Sequence, residues 1–352
     1  MKGIKSAKDI RAGIVGFGMG QHHAKELAKV GITVAAVCDK YPARLESAKQ
    51  LLPDVATYRS LAAMLKQANI NLCIVATPHK SHCALACQCL NAGKNVVVEK
   101  PMAITGAECD RMIAAAKKNR VMLTVYHSRR WDGFAKQMVQ VVKKEKAIGE
   151  IIRIEAHCDG YYGGPGSEKI DIRAPGRWRA SKSISGGIMY DMGAHLAEYV
   201  FQLIDSPVAE VMGMGHVGFW NATSPWGKDS NEDDMNAVVR FKSGQWLLMN
   251  FSTIDSCAKN EERGWIEITG TEGTYIMQPG SWRLIKHAGG KKTVTFGRDL
   301  PDSWTDFYHN LVAHLVEGKP LAIPAELGRR VVKVLDLAGQ SLKQGHAIQA
   351  TF

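Results

Sequence analysis

The sequence predicts an α/β chain in two parts: a doubly wound parallel sheet, followed by a region built on a largely antiparallel sheet. Three observations predict it. Up to about residue 125, short apolar runs alternate with helical stretches, the pattern of strand–helix–strand units. The first of these runs leads directly into a glycine turn, Gly16-Phe17-Gly18-Met19-Gly20. Beyond residue 125 the alternation stops, and extended segments follow one another across turns such as Lys242-Ser243-Gly244-Gln245 and Gly270-Thr271-Glu272-Gly273.

In the first half, Ala12 to Val15 form an apolar strand that enters the glycine turn, and a helical stretch from Gln21 to about Val30 follows. Thr33 to Cys38 then make a second apolar strand ending on Asp39. Strand, glycine turn, helix, strand and terminal acid together make a dinucleotide-binding unit. Gly16 permits the tight turn, and Gly18 lets the main chain approach a pyrophosphate at the helix N-terminus. The third glycine of the usual spacing falls on Gln21, whereas the additional glycine here is Gly20, so the helix start must accept a larger side chain. A carboxylate at Asp39 accepts from ribose hydroxyls and repels a 2′-phosphate, which favours NAD. Lys40 and Arg44 just beyond it are either solvated charges or a seat for that phosphate, which keeps NADP possible.

Leu72 to Ala76 are a further buried strand, ending in Thr77-Pro78-His79-Lys80-Ser81-His82. If the sheet is doubly wound, Thr77 and Pro78 stand beside the Gly16 turn. The next helix carries Cys83, Cys87 and Cys89 without a ligand cluster at zinc-like spacing, so these read as small buried hydrophobes and no metal is expected. After the turn residues Ala92-Gly93-Lys94-Asn95, three consecutive valines run into Glu99-Lys100-Pro101. Polar residues at the carboxyl end of such a strand point into the crevice where open α/β sheets bind ligands. Proline restricts Lys100 to an extended conformation, so the lysine leaves the sheet in a defined direction. A lysine so held can donate to a hydroxyl or carbonyl oxygen, although a solvated Glu-Lys pair would read the same way. Thr105 and Glu108 form a capping box for a helix reaching Asn119, and Val121 to Val125 close this half as its last strand.

The second half begins with a glycine-rich, aromatic loop, Asp159 to Gly187. A helix starts near Gly186-Gly187, and on it Asp191 and His195 lie four residues apart, sharing one face. An aspartate one turn from a histidine can orient the imidazole and raise its basicity. The double glycine before them would let a ligand approach. Extended segments are expected at 208–217, 234–241, 246–252, 265–269, 274–277 and 282–285, and helices near 302–317 and 325–344 close the chain.

Length and composition set the outer bounds. The 352 residues suffice for two domains, and 45% hydrophobic with 22% charged residues is ordinary globular composition. No apolar run reaches membrane-spanning length, the opening Met-Lys-Gly-Ile-Lys lacks an apolar signal core, and eight scattered cysteines suit reduced thiols, so a cytoplasmic protein is expected. The net charge of +11 raises nucleic-acid binding as an alternative, but the basic residues are dispersed and not interleaved with aromatics.

Taken together, the glycine turn, Thr77-Pro78 with His82, Ala92-Gly93-Lys94 leading to Glu99-Lys100-Pro101, Gly186-Gly187 with Asp191 and His195, and Gly270-Thr271-Glu272-Gly273 resemble the Gfo/Idh/MocA oxidoreductase family over nearly the whole chain. The resemblance implies an N-terminal Rossmann domain, expected over 1–126, and a C-terminal α/β domain on a large open sheet, expected over 127–352, with the last helices packing back on the first. It implies a catalytic group of Lys100, Asp191 and His195, assembled from both domains. Where relatives often carry an aspartate three residues after the histidine, this chain has Glu198. Cofactor contacts are expected from Gly16, Phe17, Gly18, Met19, Gly20, Asp39, Lys40, Arg44, Thr77, Pro78, His79, His82, Glu99, Lys100, Pro101, Trp178 and Arg179. Substrate contacts are expected from Lys100, Tyr126, His127, Arg129, Arg130, Tyr161, Tyr162, Asp191 and His195. The function so implied is hydride transfer between NAD, or NADP, and a secondary alcohol of a sugar, cyclitol or polyol, by a homodimer or homotetramer. Two alternatives stand beside it: a redox-assisted glycosidase that keeps its NAD, and a sensing relative without catalysis.

Overall fold

The computed structural model describes residues 4–159, 177–255, 265–278 and 280–352. The chain forms two units: residues 1–128 with 304–332, and residues 129–303 with 333–352.

In the first unit, six parallel strands take the order β3-β2-β1-β4-β5-β6. They are β1 (Arg11–Val15), β2 (Thr33–Cys38), β3 (Ala56–Tyr58), β4 (Leu72–Val75), β5 (Asn95–Glu99) and β6 (Leu123–Tyr126). Between them run helices α1 (Gly20–Lys29), α2 (Pro42–Leu51), α3 (Leu61–Gln67), α4 (His82–Asn91) and α5 (Gly106–Asn119). The sheet is doubly wound, with its switch point between β1 and β4, where open α/β sheets place their ligands. β4 and β5 are buried along their whole length, as continuous apolar runs covered on both faces should be. β2 has the predicted ends. β6 begins two residues later than its valines suggest, because Asn95 on β5 uses its side-chain oxygen to take the backbone N–H of Met122 before the ladder starts. The short β3 carries no apolar run to reveal it; it is a strand because Thr57 and Tyr58 pair with Val37 and Cys38. At the head of α5, Thr105 accepts from the Glu108 backbone at 3.2 Å, while the Glu108 carboxylate takes the N–H of Ile104 instead of Thr105.

The second unit starts with α6 (Gly133–Met138), which continues as a wider helical turn to Lys144. Then come β7 (Ile151–Asp159), α7 (Lys182–Ser185), α8 (Met189–Leu203), β8 (Val208–His216), β9 (Asp234–Phe241), β10 (Trp246–Ser252), β11 (Ile266–Gly270), β12 (Gly273–Gln278), β13 (Ser281–Ala288) and β14 (Lys291–Arg298). Together with β15 (Ile348–Gln349), they form a nine-stranded sheet among the described residues, in the order β14-β13-β12-β11-β7-β10-β9-β8-β15. The β7–β10 pair is parallel and the other described pairs are antiparallel. β7, at the centre, is absent from the sequence expectation. Its alternation of buried Ile154 and Ala156 with the Arg153–Glu155 pair is the signal that marks it.

Helix α9 (Asp306–Glu317) returns to the first unit, and α10 (Ala325–Gln344) carries residues of both. α9 starts four residues later than the expected 302, and Asp302 accepts from the Gly133 N–H at 2.7 Å. No described helix is long and apolar enough to cross a membrane, no described His, Cys, Asp and Glu residues cluster for a metal, and the described cysteines are free thiols.

Candidate functional site

The carboxyl edge of the first sheet collects the residues expected to hold the cofactor. Gly16 has φ +90°, and a Cβ there would lie 2.5 Å from the Ala76 carbonyl and 2.9 Å from Thr77, so only glycine makes this turn. The same contact sets Thr77 beside the turn, as a doubly wound sheet requires. Gly20 is the first residue of α1, and a Cβ would strike Ile14 of β1 at 2.6 Å. It therefore supplies the close helix–strand packing usually met one residue later, and Gln21 is free to be larger. Gly18 and Met19 are exposed, Phe17 is buried, and space is open where a side chain on Gly18 would be.

Asp39 holds this turn. One carboxylate oxygen accepts from the Phe17 N–H at 2.8 Å and the other from the Tyr41 N–H at 2.9 Å. Each oxygen keeps a further lone pair for a ribose hydroxyl. Lys40 and Arg44 are exposed, and Lys40 lies over the Tyr41 ring at 4.9 Å. On the next loop Pro78 is exposed and His79 buried. His82 is fully buried, with Nε2 2.7 Å from the Thr77 carbonyl and Nδ1 2.9 Å from the Pro101 carbonyl. It ties the ends of β4 and β5 together. Burial pushes its imidazole below the usual range, against the pull of the two carbonyls, so the neutral ring donates to one of them at a time.

Lys100 leaves β5 half-buried, through a cis peptide bond to Pro101. The Glu99 carboxylate turns back, accepting from the Lys100 backbone N–H at 3.0 Å and from His23 Nε2 at 3.0 Å. Burial pushes Glu99 up, but the His23 hydrogen bond and the neighbouring His23 and Lys100 outweigh it and hold the carboxyl below its ordinary range.

In the second unit, Asp191 is half-exposed on the first turn of α8 and His195 is buried one turn later. Arg179 Nε lies 3.3 Å from Asp191 and the guanidinium stacks on Trp178 at 4.5 Å. Residues 229–232 hold this corner. Asn231 donates to the Arg179 carbonyl and takes the Ser185 hydroxyl, Asp229 accepts from the Ser183 backbone, and Glu232 pairs with Lys182 at 2.6 Å while accepting from the Ile188 N–H. The double glycine before α8 serves this packing: a Cβ on Gly187 would lie 2.8 Å from the Glu232 carboxylate, and one on Gly186 would lie 2.9 Å from the Tyr190 ring. A pocket opens here, with Arg179, Asp191, Asn231 and Glu232 as polar lining and Trp220 and Phe251 as aromatic lining. The sequence reading missed Asp229, Asn231 and Glu232. The polar run Asp229-Ser-Asn-Glu-Asp directly before β9 was the available signal.

Tyr126 is buried, its hydroxyl 2.8 Å from His22 Nε2 and its ring 4.5 Å from that of His23. His127 is also buried, and Arg129 is half-exposed at the start of the second unit. Arg130 is engaged with Glu198 through Nε at 2.8 Å and Nη2 at 2.7 Å, so Glu198 serves an internal ion pair. Tyr161 and Tyr162 lie outside the described residues.

The first-unit edge fits a dinucleotide: a glycine turn too tight for a Cβ, open space over Gly18, a helix N-terminus behind it and a carboxylate at the end of β2. The comparisons agree. Residues 10–127 match the oxidoreductase family with an NAD-binding Rossmann fold, and residues 135–276 match the GFO/IDH/MocA C-terminal domain. A scyllo-inositol 2-dehydrogenase (NADP(+)), IolW, from Bacillus subtilis is 26% identical, covering 99% of this chain and 98% of that protein. A myo-inositol 2-dehydrogenase from Thermotoga maritima is 24% identical, over 97% and 98% respectively. Levoglucosan dehydrogenase, solved with NADH, superposes with a TM-score of 0.82 at 18% identity, covering 97% of this chain and 98% of that one. The chain belongs to the Gfo/Idh/MocA family and is an NAD(P)-dependent oxidoreductase.

Proposed function

We propose that this Gfo/Idh/MocA oxidoreductase transfers hydride between a secondary alcohol of a sugar, cyclitol or related polyol and its nicotinamide cofactor. The observation that carries the reading is the pair of anchored groups: a lysine presented from the switch-point edge of the first sheet, and an aspartate and histidine one turn apart on α8, with the aspartate lining a polar and aromatic pocket. Arginine, asparagine and carboxylate donors and acceptors beside Trp220 and Phe251 suit a hydroxyl-rich ring with one apolar face. The inositol dehydrogenases and levoglucosan dehydrogenase among its relatives support the same substrate class.

In the oxidative direction His195 takes the proton of the substrate hydroxyl, with Asp191 orienting the imidazole and stabilising it once charged. Lys100 donates to the same oxygen as it becomes a carbonyl, so the carbon–hydrogen electron pair leaves while the oxygen is held. The bound nicotinamide supplies the hydride acceptor. NAD is the preferred cofactor in this reading, because the Asp39 carboxylate stands where a 2′-phosphate would bring more negative charge. Rates of NAD and NADP reduction across a panel of sugars and inositols test both parts. NADH formation with polyols supports the assignment; no reduction with any member, or a lower dissociation constant for NADP than for NAD, overturns the corresponding part.

A further inference from the structure

We propose that His23 is a positioning residue for Lys100, acting through Glu99. The inference rests on the role given to Lys100 above. His23 lies three residues into α1, the helix that opens at the cofactor turn, and it is fully buried. Its Nε2 donates to one oxygen of Glu99, whose other oxygen accepts the backbone N–H of Lys100. Since a carboxylate can only accept, Nε2 carries a proton, and Nδ1 is hydrogen-bonded to the hydroxyl of Tyr308. Tyr308 is itself fully buried on α9, and the Tyr126 ring packs on the imidazole from β6. Residues of α9 and β6 thus converge on the imidazole from α1, which holds the carboxylate that sets the backbone at which the lysine leaves the sheet. Surface pairing does not explain this. A fully buried histidine and an almost fully buried glutamate form a low-dielectric contact that fixes geometry, and the His23 hydrogen bond helps hold the carboxyl below its ordinary range against burial.

The two histidine nitrogens can be separated by substitution. His23→Gln brings an amide N–H close to the position of Nε2 and keeps the donor to Glu99; His23→Asn brings its amide toward Tyr308 and loses that donor. His23→Asn should lower kcat about tenfold or more, as small misplacements of a reacting group do. The dissociation constant for NAD should stay within roughly threefold, since the pyrophosphate turn is untouched. Acylation of Lys100 by a small anhydride at fixed pH, followed by peptide mass spectrometry, needs no substrate. It should quicken about threefold or more in His23→Asn, as local ordering is lost. His23→Gln should restore most of both quantities. Tyr308→Phe, which keeps the ring, should shift them in the same direction by less, and it serves if His23→Asn does not fold. Wild-type labelling of Lys100 in His23→Asn and Tyr308→Phe, or equal losses in the Gln and Asn variants, overturns the proposal. Normal turnover in Lys100→Ala would instead remove the role of Lys100, while the labelling result still decides whether His23 positions it.

Discussion

Glu99 in the first unit and Glu198 in the second are both almost fully withdrawn from solvent, yet their surroundings act on them in opposite directions. Glu99 is faced by His23 and Lys100, which outweigh the burial penalty and hold it below the ordinary glutamate range. Glu198 has a hydrogen bond and an ion-pair contact from Arg130 and a hydrogen bond from Gln202, but burial dominates, Asp132 adds negative charge, and its carboxyl is pushed up. The same contrast marks the groups proposed for chemistry. Lys100 is held by a buried network, whereas Asp191 leans on an ion pair with Arg179 in which both side chains are about 40% exposed. A desolvated contact fixes geometry; a hydrated one adjusts with its ligand and weakens with salt.

The largest expected effect comes from breaking the rigid side. Gly16→Ala places a methyl against the Ala76 carbonyl at a positive φ, and should lower NAD affinity by about a hundredfold while costing roughly 1–3 kcal/mol of stability. Titration with NAD and urea unfolding would measure the two. Retained affinity would show that the turn does not carry the cofactor. On the adjustable side, Glu232→Ala strips the partner from Lys182 and the anchor from the start of α8. Water reaches the lysine, about a third exposed, so the cost should be near the low end for a broken buried pair, about 2–3 kcal/mol. The Michaelis constant for substrate should rise with it. Arg179→Ala should be milder still, below about 1 kcal/mol in stability. Its effect on the Michaelis constant should shrink as ionic strength rises. A loss independent of salt would mean that the guanidinium stacks on its ligand and does not act through charge.

Charge titration sharpens the contrast without altering packing volume. Glu99 has a depressed folded pKa, so its contribution is present above the ordinary glutamate range and lost as pH falls through the folded value. Glu198 has a raised one, so its contribution is present below that range and lost as pH rises through the folded value. Glu99→Gln should therefore flatten the loss of stability on acidification, and Glu198→Gln should flatten the loss on moving from acid toward neutral pH. Unfolding free energies measured between about pH 3 and 7 test the signs, and equal slopes in both variants would contradict them.

The two regions also differ in how far a reader of the sequence could have gone. Three valines before Glu99-Lys100-Pro101, the acid ending β2 and the turns around β9 and β10 are local signals, and the structure has them where periodicity and turn chemistry put them. What escaped is non-local. Glu232 meets Lys182 across fifty residues of chain, and Tyr308 reaches His23 from near the other end of it. No spacing rule announces either partner. Tyr126 and Arg130 likewise meet distant partners, His22 and Glu198, that no local signal announces. β7 had a readable alternation, with the Arg153–Glu155 pair facing away from buried Ile154 and Ala156.

Single-turnover hydride transfer to NAD, with a polyol found in the panel, tests the central claim most directly when run on Lys100→Ala, His195→Ala and the double variant. Each single change should slow the step by about two orders of magnitude or more. The double variant should be little slower than either, because groups that act as a unit lose their effect together. Near-normal transfer in Lys100→Ala, or losses that simply multiply in the double variant, would contradict the account.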